Sequence, residues 1–231
     1  MSKKRVYTHI LLDRSGSMDG AGYGPTCNAV NDYIAKMAAD PDLSSRVSLT
    51  LFDSRPEERP FAGNGTFSLS TSPVRLSLAH VFTGIKPKNA PKVDRTNYVP
   101  HGGTPLRDAI GETITLIDKQ ERREGETIAF VVVTDGYENT STKWTQEQIS
   151  KLIGDRKEKG WLVIYLGADH DAMMQASALN VAAANTMSYN KVNTESATSA
   201  VFRGTKDYAM TGDVALSAFT VGEREDAVKE K

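Results

Sequence analysis

Four apolar runs rich in β-branched residues are the feature that most constrains the fold of this chain. They cover residues 6–12, 47–52, 128–133 and 162–166. None of them alternates cleanly with polar residues along its whole length, which is typical of strands that are covered on both faces. Each run has the length of a buried strand and is too short for a long helix. The sequence therefore predicts a sheet with at least four buried strands.

Helical patterns lie between these runs. Apolar residues recur three and four positions apart over residues 27–37 and again over 106–117. A third helix is predicted over 145–159, because Thr145 and Gln148 form a capping box and a glycine follows the last residue. Strands that alternate with helices predict an α/β fold. We expect a doubly wound, mostly parallel, Rossmann-like sheet with helices on both faces.

The segment after the second strand departs from this alternation. We assign residues 1–210 to one domain with an insertion over about 55–97, and residues 211–231 to a C-terminal strand or tail with a frayed end. Within the insertion, 66–70 and 74–78 both alternate, which predicts a hairpin added at the edge of the sheet. The insertion is interpreted either as an elaborated sheet edge or as a loop wall that contacts a partner.

Composition narrows the class of protein. Of 231 residues, 39% are apolar and 25% are charged, as in a globular protein with a core. The net charge of −1 and the pI of about 6.4 predict no attraction to nucleic acid or to an anionic membrane. No run approaches the roughly 20 apolar residues that span a bilayer, and the basic start lacks the features of a signal peptide. We therefore expect a cytoplasmic protein.

Polar residues cluster after the predicted strands, where parallel sheets usually bind ligands. The stretch DRSGSM at 13–18 follows the first strand. It reads either as a turn or as a ligand loop whose alternate residues face one point. Thr104 precedes Pro105 at a helix start and reads as an N-cap. Asp53 ends the second strand, and we expect it to support the site without binding a ligand directly.

Three motifs in this order resemble the von Willebrand factor type A domain. They are D-x-S-x-S at 13–17, G-G-T-P at 102–105 and T-D-G at 134–136. The similarity covers roughly residues 5 to 205 and is closest in character to bacterial or phage intracellular members. The resemblance implies a metal-ion-dependent adhesion site formed by Asp13, Ser15, Ser17, Thr104 and Asp135. It also implies a protein-interaction module and not an enzyme.

The resemblance also suggests what the site binds. All five side chains offer oxygen, which suits Mg²⁺, Ca²⁺ or Mn²⁺ better than zinc or copper. Because three of the five ligands are neutral hydroxyls, we expect the bound cation to keep an affinity for an outside anion. In this family the usual guest is an Asp or Glu carboxylate of a partner protein. Bacterial relatives accompany ATPases, so the resemblance suggests an AAA-type ATPase as one partner.

The alternative function is a metal-dependent hydrolase, a phosphatase or an esterase. His101, three residues before Thr104, or His170, within Asp169-His170-Asp171, would then act as a general base. The sequence places no catalytic base at a fixed spacing from the motifs. An ordinary loop histidine and a helix cap are therefore the preferred interpretations of these two positions.

Overall fold

The computed structural model of the protein describes residues 3–20, 23–56, 74–168, 172–190 and 193–229. Its strands are β1 (Lys4–Asp13), β2 (Leu43–Pro56), β3 (Val74–Ile85), β4 (Glu126–Thr134), β5 (Leu162–Gly167) and β6 (Thr186–Ser188). They form one six-stranded sheet in the order β3-β2-β1-β4-β5-β6. Every neighbouring pair is parallel except β2–β3, which is antiparallel. The predicted open, mostly parallel sheet is confirmed.

Helices cover both faces of this sheet. Those of the described residues are α1 (Tyr23–Ala39), α2 (Leu106–Asp118), α3 (Gln146–Glu158), α4 (Ala172–Ala178), α5 (Thr194–Thr211) and α6 (Val221–Val228). One buried apolar cluster joins the sheet to α1, α5 and α6, and a second joins it to α2, α3 and α4. The predicted doubly wound α/β fold is therefore confirmed. None of the described helices combines the length and the apolar character needed to cross a membrane.

The central strand β1 shows why its apolar run is unbroken. Tyr7 and Leu11 pack in the cluster under α2, whereas Ile10 and Leu12 pack in the cluster under α1. Successive side chains of a strand point to opposite faces, so both faces of β1 must be apolar. Its eight residues from Val6 to Asp13 are all buried. The strand therefore ends with a buried carboxylate, Asp13, at the edge where the parallel strands finish.

The two predicted helix starts had different outcomes. Thr145 caps α3 in a complete capping box with Gln148, as predicted. The prediction that Thr104 caps α2 was wrong, because α2 begins at Leu106 and its N-cap residue is Pro105, without a side-chain cap. The first free amides of α2 are instead taken by side chains of the loop after β4.

The sheet edge clarifies the predicted hairpin. Residues 74–78 belong to β3, which pairs with β2 in the central sheet, so that Leu78 lies opposite Phe52. The other predicted arm, 66–70, lies outside the described residues. Residues 86–95 contain no strand, and a short 3-10 turn covers Pro87–Asn89. The described part of the insertion therefore supplies an edge strand of the main sheet.

The C-terminal segment corrects a second expectation. A strand or tail was predicted over 211–231, but Val221–Val228 forms the helix α6. Thr220 and Glu223 form a capping box that starts this helix. The Glu223 carboxylate also accepts a 2.6 Å hydrogen bond from Arg203 on α5, and Ala227 is fully buried. The charged composition of this segment hid the contacts that hold it on the domain.

Candidate metal centre

The ends of β1 and β4 bring the first and last motifs together. The two strands are parallel neighbours in which Leu12 lies opposite Val133, so that Asp13 and Thr134 leave the sheet side by side. The Thr134 hydroxyl donates to Asp13 Oδ2 at 2.6 Å. Gly16–Met18 forms a 3-10 turn that folds the first motif over this edge.

Asp13 is fully buried at the base of the site. Its Oδ1 accepts a 2.7 Å hydrogen bond from the Ser15 amide. Burial raises the pKa of Asp13 to about 6, against the lowering effect of hydrogen bonds from Thr134 and Ser15, while the nearby Asp135 raises the pKa further. Two carboxylates in one poorly solvated place repel each other. A cation between them would remove that cost.

Two hydroxyls of the first motif extend to Asp135. The Ser17 hydroxyl donates to Asp135 Oδ1 at 2.7 Å. Ser15 Oγ lies 3.1 Å from Ser17 Oγ, within hydrogen-bonding distance. The oxygens of Ser15, Ser17 and Asp135 therefore form a continuous series within hydrogen-bonding distance.

Gly136 marks the point on which further oxygens converge. A Cβ atom placed on this glycine would lie 2.7 Å from Thr104 Oγ1, 3.5 Å from Ser17 Oγ and 3.6 Å from Asp13 Oδ2. A contact of 2.7 Å is shorter than real Cβ atoms make, so any side chain at this position would displace the Thr104 hydroxyl. The structure thus brings the five side chains singled out in the sequence into one cradle, with space kept open by the missing side chain of Gly136.

The donor set of this cradle suits a hard cation. It offers two carboxylates and three hydroxyls, all oxygen, as Mg²⁺, Mn²⁺ and Ca²⁺ prefer. Within the described ranges no group of three or more His, Cys, Asp or Glu side chains is placed to hold a metal ion. The site therefore differs in chemistry from the nitrogen and sulfur sites that bind zinc.

The loop after β4 supports the site in a way that sequence reasoning missed. Asn139 Oδ1 accepts from the Thr104 amide at 2.9 Å. Glu138 accepts from the Arg107 amide at 2.8 Å, and the Asp108 amide donates to Ser141 Oγ at 3.1 Å. Glu138, Asn139 and Ser141 follow the T-D-G motif directly, and this proximity was the signal available in the sequence.

Asp108, in the first turn of α2, binds the loop after β4 in the opposite direction. Its carboxylate accepts from the amides of Thr142, Lys143 and Trp144, at 2.8 to 3.2 Å. The start of α2 and the loop after β4 therefore exchange hydrogen bonds in both directions. This exchange fixes Thr104, just before α2, relative to Asp135, just after β4.

The remaining candidates take other positions. Asp53 is fully buried and accepts a 2.6 Å hydrogen bond from Arg14 Nε, so it supports the ligand loop as expected. His101 Nε2 lies 3.5 Å from Asp53 Oδ2, and its amide donates to the Arg14 carbonyl at 2.9 Å. His170 and its flanking aspartates lie outside the described residues.

Comparison with known proteins identifies a family and one curated relative. The family model for the von Willebrand factor type A domain matches residues 9–203. Sporozoite surface protein 2 of Plasmodium yoelii yoelii is 30% identical over 139 residues, which is 59% of this chain and 15% of that protein. The chain therefore spans about 15% of the length of this curated relative.

Solved structures share the fold at low sequence identity. Proximal thread matrix protein 1 from the mussel byssus superposes with a TM-score of 0.59 at 12% identity, covering 87% of this chain and 48% of that chain. Manganese-loaded TRAP protein of Plasmodium vivax superposes with a TM-score of 0.56 at 13% identity, covering 84% of this chain and 72% of that chain. The vWF domain of the type V pili tip protein Mfa5 from Porphyromonas gingivalis superposes with a TM-score of 0.54 at 10% identity, covering 87% of this chain and 95% of that chain. At these identities the similarity concerns the fold alone.

Proposed function

Because the chain belongs to the von Willebrand factor type A family, we propose that it is a metal-dependent protein-interaction module and not an enzyme. In this proposal Asp13, Ser15, Ser17, Thr104 and Asp135 hold a divalent cation, Mg²⁺ first and Mn²⁺ or Ca²⁺ as substitutes. An Asp or Glu side chain of a partner protein completes the coordination. The module acts in the cytoplasm, and an AAA-type ATPase is one candidate partner.

One observation supports this proposal above the others. Oxygens of Asp13 and Ser17 from the first motif and of Thr104 from the second lie within 3.6 Å of a single point beside Gly136, which belongs to the third. Asp135 joins them through a 2.7 Å hydrogen bond with Ser17. The manganese-loaded state of the Plasmodium vivax relative is consistent with a metal-binding role.

The charge balance explains why the site would attract a partner. Only Asp13 and Asp135 of the five side chains carry charge, whereas the hydroxyls contribute dipoles. A divalent cation held mainly by neutral oxygens keeps an affinity for an outside anion. The cation supplies an electrophilic position, and the residues of this chain orient it and exclude water from its buried side. A carboxylate on another protein is the anion that fits this requirement.

Association with the partner provides the direct test. The partner is isolated from native cells by its retention on the full chain in Mg²⁺ and its release by EDTA. Its affinity is then measured in Mg²⁺, in EDTA and for Thr104→Ala, with Thr83→Ala on the exposed part of β3 as the matched control. We expect binding in Mg²⁺ to the original chain and to the Thr83 variant only. Thr104→Ala should stay folded, because Thr104 does not cap α2. Equal affinities in all conditions would contradict the proposal.

The same preparations separate this function from hydrolysis. Phosphatase and esterase substrates are incubated with the chain in Mg²⁺ and in Mn²⁺. We expect no turnover above that of the Thr104→Ala variant. Turnover that His101→Ala abolishes would favour the hydrolase and contradict an interaction module.

A further inference from the structure

A group of basic side chains borders the candidate metal centre where β2 ends. Its centre is the Asp53 carboxylate, which is fully buried. Arg14 donates to Asp53 Oδ2 at 2.6 Å, and its side chain is only 8% exposed. Arg14 lies between Asp13 and Ser15 in the chain, so this ion pair also fastens the ligand loop to β2. The charge of Asp53 is already balanced by this one arginine.

Two further side chains share the same carboxylate. Arg55 Nε lies 3.3 Å from Asp53 Oδ1, and His101 Nε2 lies 3.5 Å from Asp53 Oδ2. Their side chains are 48% and 38% exposed, in contrast to the buried Arg14. One carboxylate therefore faces two guanidinium groups and an imidazole. Arg55, whose charge exceeds what Asp53 balances, and His101 therefore lie on the solvent side of this carboxylate.

Backbone hydrogen bonds place this group next to the metal centre. The His101 amide donates to the Arg14 carbonyl at 2.9 Å, and the Gly16 amide donates to the Gly102 carbonyl at 3.0 Å. The segment before Thr104 therefore runs alongside the ligand loop. The Ser54 amide donates to the Gly103 carbonyl at 3.1 Å, which brings the end of β2 to the same segment. Arg55 and His101 thus lie on one side of the rim around the cradle.

We propose that the partner segment that offers a carboxylate to the metal carries a second acidic side chain, which binds Arg55 and His101. This inference rests on the proposed function and specifies the kind of partner. Charged groups on a half-exposed rim contribute modest affinity, but they select between partners and accelerate association. A guanidinium can pair with a carboxylate through two parallel hydrogen bonds, which gives the contact a defined geometry. A segment with one acid would bind the metal but make no contact with Arg55 and His101.

The variants that test this contact leave the metal ligands untouched. Arg55→Gln and His101→Gln remove the exposed donors, while Arg14 continues to neutralise the buried Asp53. Lys88→Gln is the matched control for loss of one positive charge. Lys88 lies in the 3-10 turn that follows β3. The last residue of β3, Ile85, pairs with Val47, near the start of β2 and far from Arg55 at its end. The control therefore changes charge at the opposite end of the sheet.

A random peptide library provides the probe. The library is displayed on phage, selected on the full chain in Mg²⁺, eluted with EDTA and sequenced. Selection on the original chain and on Lys88→Gln should enrich peptides with two acidic residues. Selection on the double variant Arg55→Gln/His101→Gln should enrich peptides with a single acidic residue. A synthetic two-acid peptide should bind the double variant about fivefold more weakly, the equivalent of one exposed ion pair. Calorimetry should show that the double variant binds Mg²⁺ as the original chain does.

The outcomes separate the two levels of the argument. Peptides that bind equally in Mg²⁺ and EDTA, or a selection that yields no Mg²⁺-dependent binder, would contradict the proposed function. Mg²⁺-dependent peptides that carry a single acid, or that bind the double variant with unchanged affinity, would contradict the second acidic contact and leave the metal site standing. A double variant that no longer binds Mg²⁺ would show that the basic group positions the ligand loop, and would also overturn the inference.

Discussion

Asn139 holds Thr104 from both sides of its backbone. The side-chain oxygen of Asn139 accepts a hydrogen bond from the Thr104 amide at 2.9 Å, and the Asn139 amide donates to the Thr104 carbonyl at 3.2 Å. Thr104 itself is 2% exposed. The loop after β4 therefore fixes the backbone of Thr104, and with it the position of the Thr104 hydroxyl beside the cradle.

The first prediction is that Asn139→Ala weakens Mg²⁺ binding by about tenfold, the lower end of the range for residues that orient metal ligands. The change leaves the buried Thr104 amide without its acceptor and loosens the position of its hydroxyl. Titration calorimetry measures the effect. Asn139→Asp keeps the acceptor and should retain more of the affinity, and Asn89→Ala, on an exposed turn, serves as the control. Equal affinities for Asn139→Ala and Asn89→Ala would show that Asn139 does not position the site.

The second prediction concerns the space beside Gly136. In Gly136→Ala the new methyl group would lie 2.7 Å from Thr104 Oγ1, so one of the two must move. Overpacking of this kind costs about 1–3 kcal/mol. We expect Mg²⁺ affinity to fall by about tenfold or more while thermal unfolding stays cooperative. Gly24→Ala is the control, because a Cβ atom there meets nothing within 4 Å. Unchanged affinity in Gly136→Ala would place the cation elsewhere.

The third prediction compares charge with dipole in the ligand set. Asp13→Ala and Asp135→Ala should each weaken Mg²⁺ binding more than Ser15→Ala, because each removes a negative charge and an oxygen ligand. The serine contributes only a hydroxyl dipole and its 3.1 Å contact with Ser17. Calorimetry on the three variants gives the order of affinities. Unchanged binding in both aspartate variants would rule out this metal site.

The sheet was predictable to the extent that burial leaves a pattern in sequence. Four strands are covered on both faces and therefore appear as unbroken apolar runs. The edge strand β3 is only half-buried, so that its alternation was interpreted as one arm of a hairpin. The strand β6 covers only Thr186–Ser188, which is too short for any periodicity to emerge. Edges and short strands are defined by their neighbours in space, which a local pattern does not contain.

The candidate site likewise combines residues that a local pattern reveals with contacts that only the folded chain creates. Its proposed ligand residues stand in short motifs, and they were identified through the resemblance to a family. The capping role predicted for Thr104 was wrong because the amides of α2 are satisfied by Glu138 and Ser141. These partners are 31 and 33 residues away along the chain from the amides that they bind. Hydrogen bonds of that range depend on the folded loop, so they could not be predicted from spacing.

A buried polar network crosses the sheet below the site. His9 is fully buried on β1, with Nδ1 3.2 Å from the Tyr7 hydroxyl and Nε2 2.8 Å from Thr50 Oγ1. Thr50 Oγ1 also lies 2.9 Å from Nδ1 of His80, on the edge strand β3. Burial, together with the neighbouring His80, lowers the pKa of His9 to about 3. The folded protein therefore keeps His9 neutral.

The fourth prediction follows from that pKa. In the unfolded chain His9 takes up a proton near pH 6.5, whereas the folded chain takes it up only near pH 3. The stabilising effect of neutral His9 is therefore complete above about pH 6.5 and is lost as the pH falls towards 3, at up to about 1.4 kcal/mol per pH unit. Urea unfolding between pH 7 and pH 4 measures this slope. His9→Gln cannot titrate and should be less stable at pH 7, with a shallower loss of unfolding free energy on acidification. Parallel curves for the two proteins would show that acid acts through other groups.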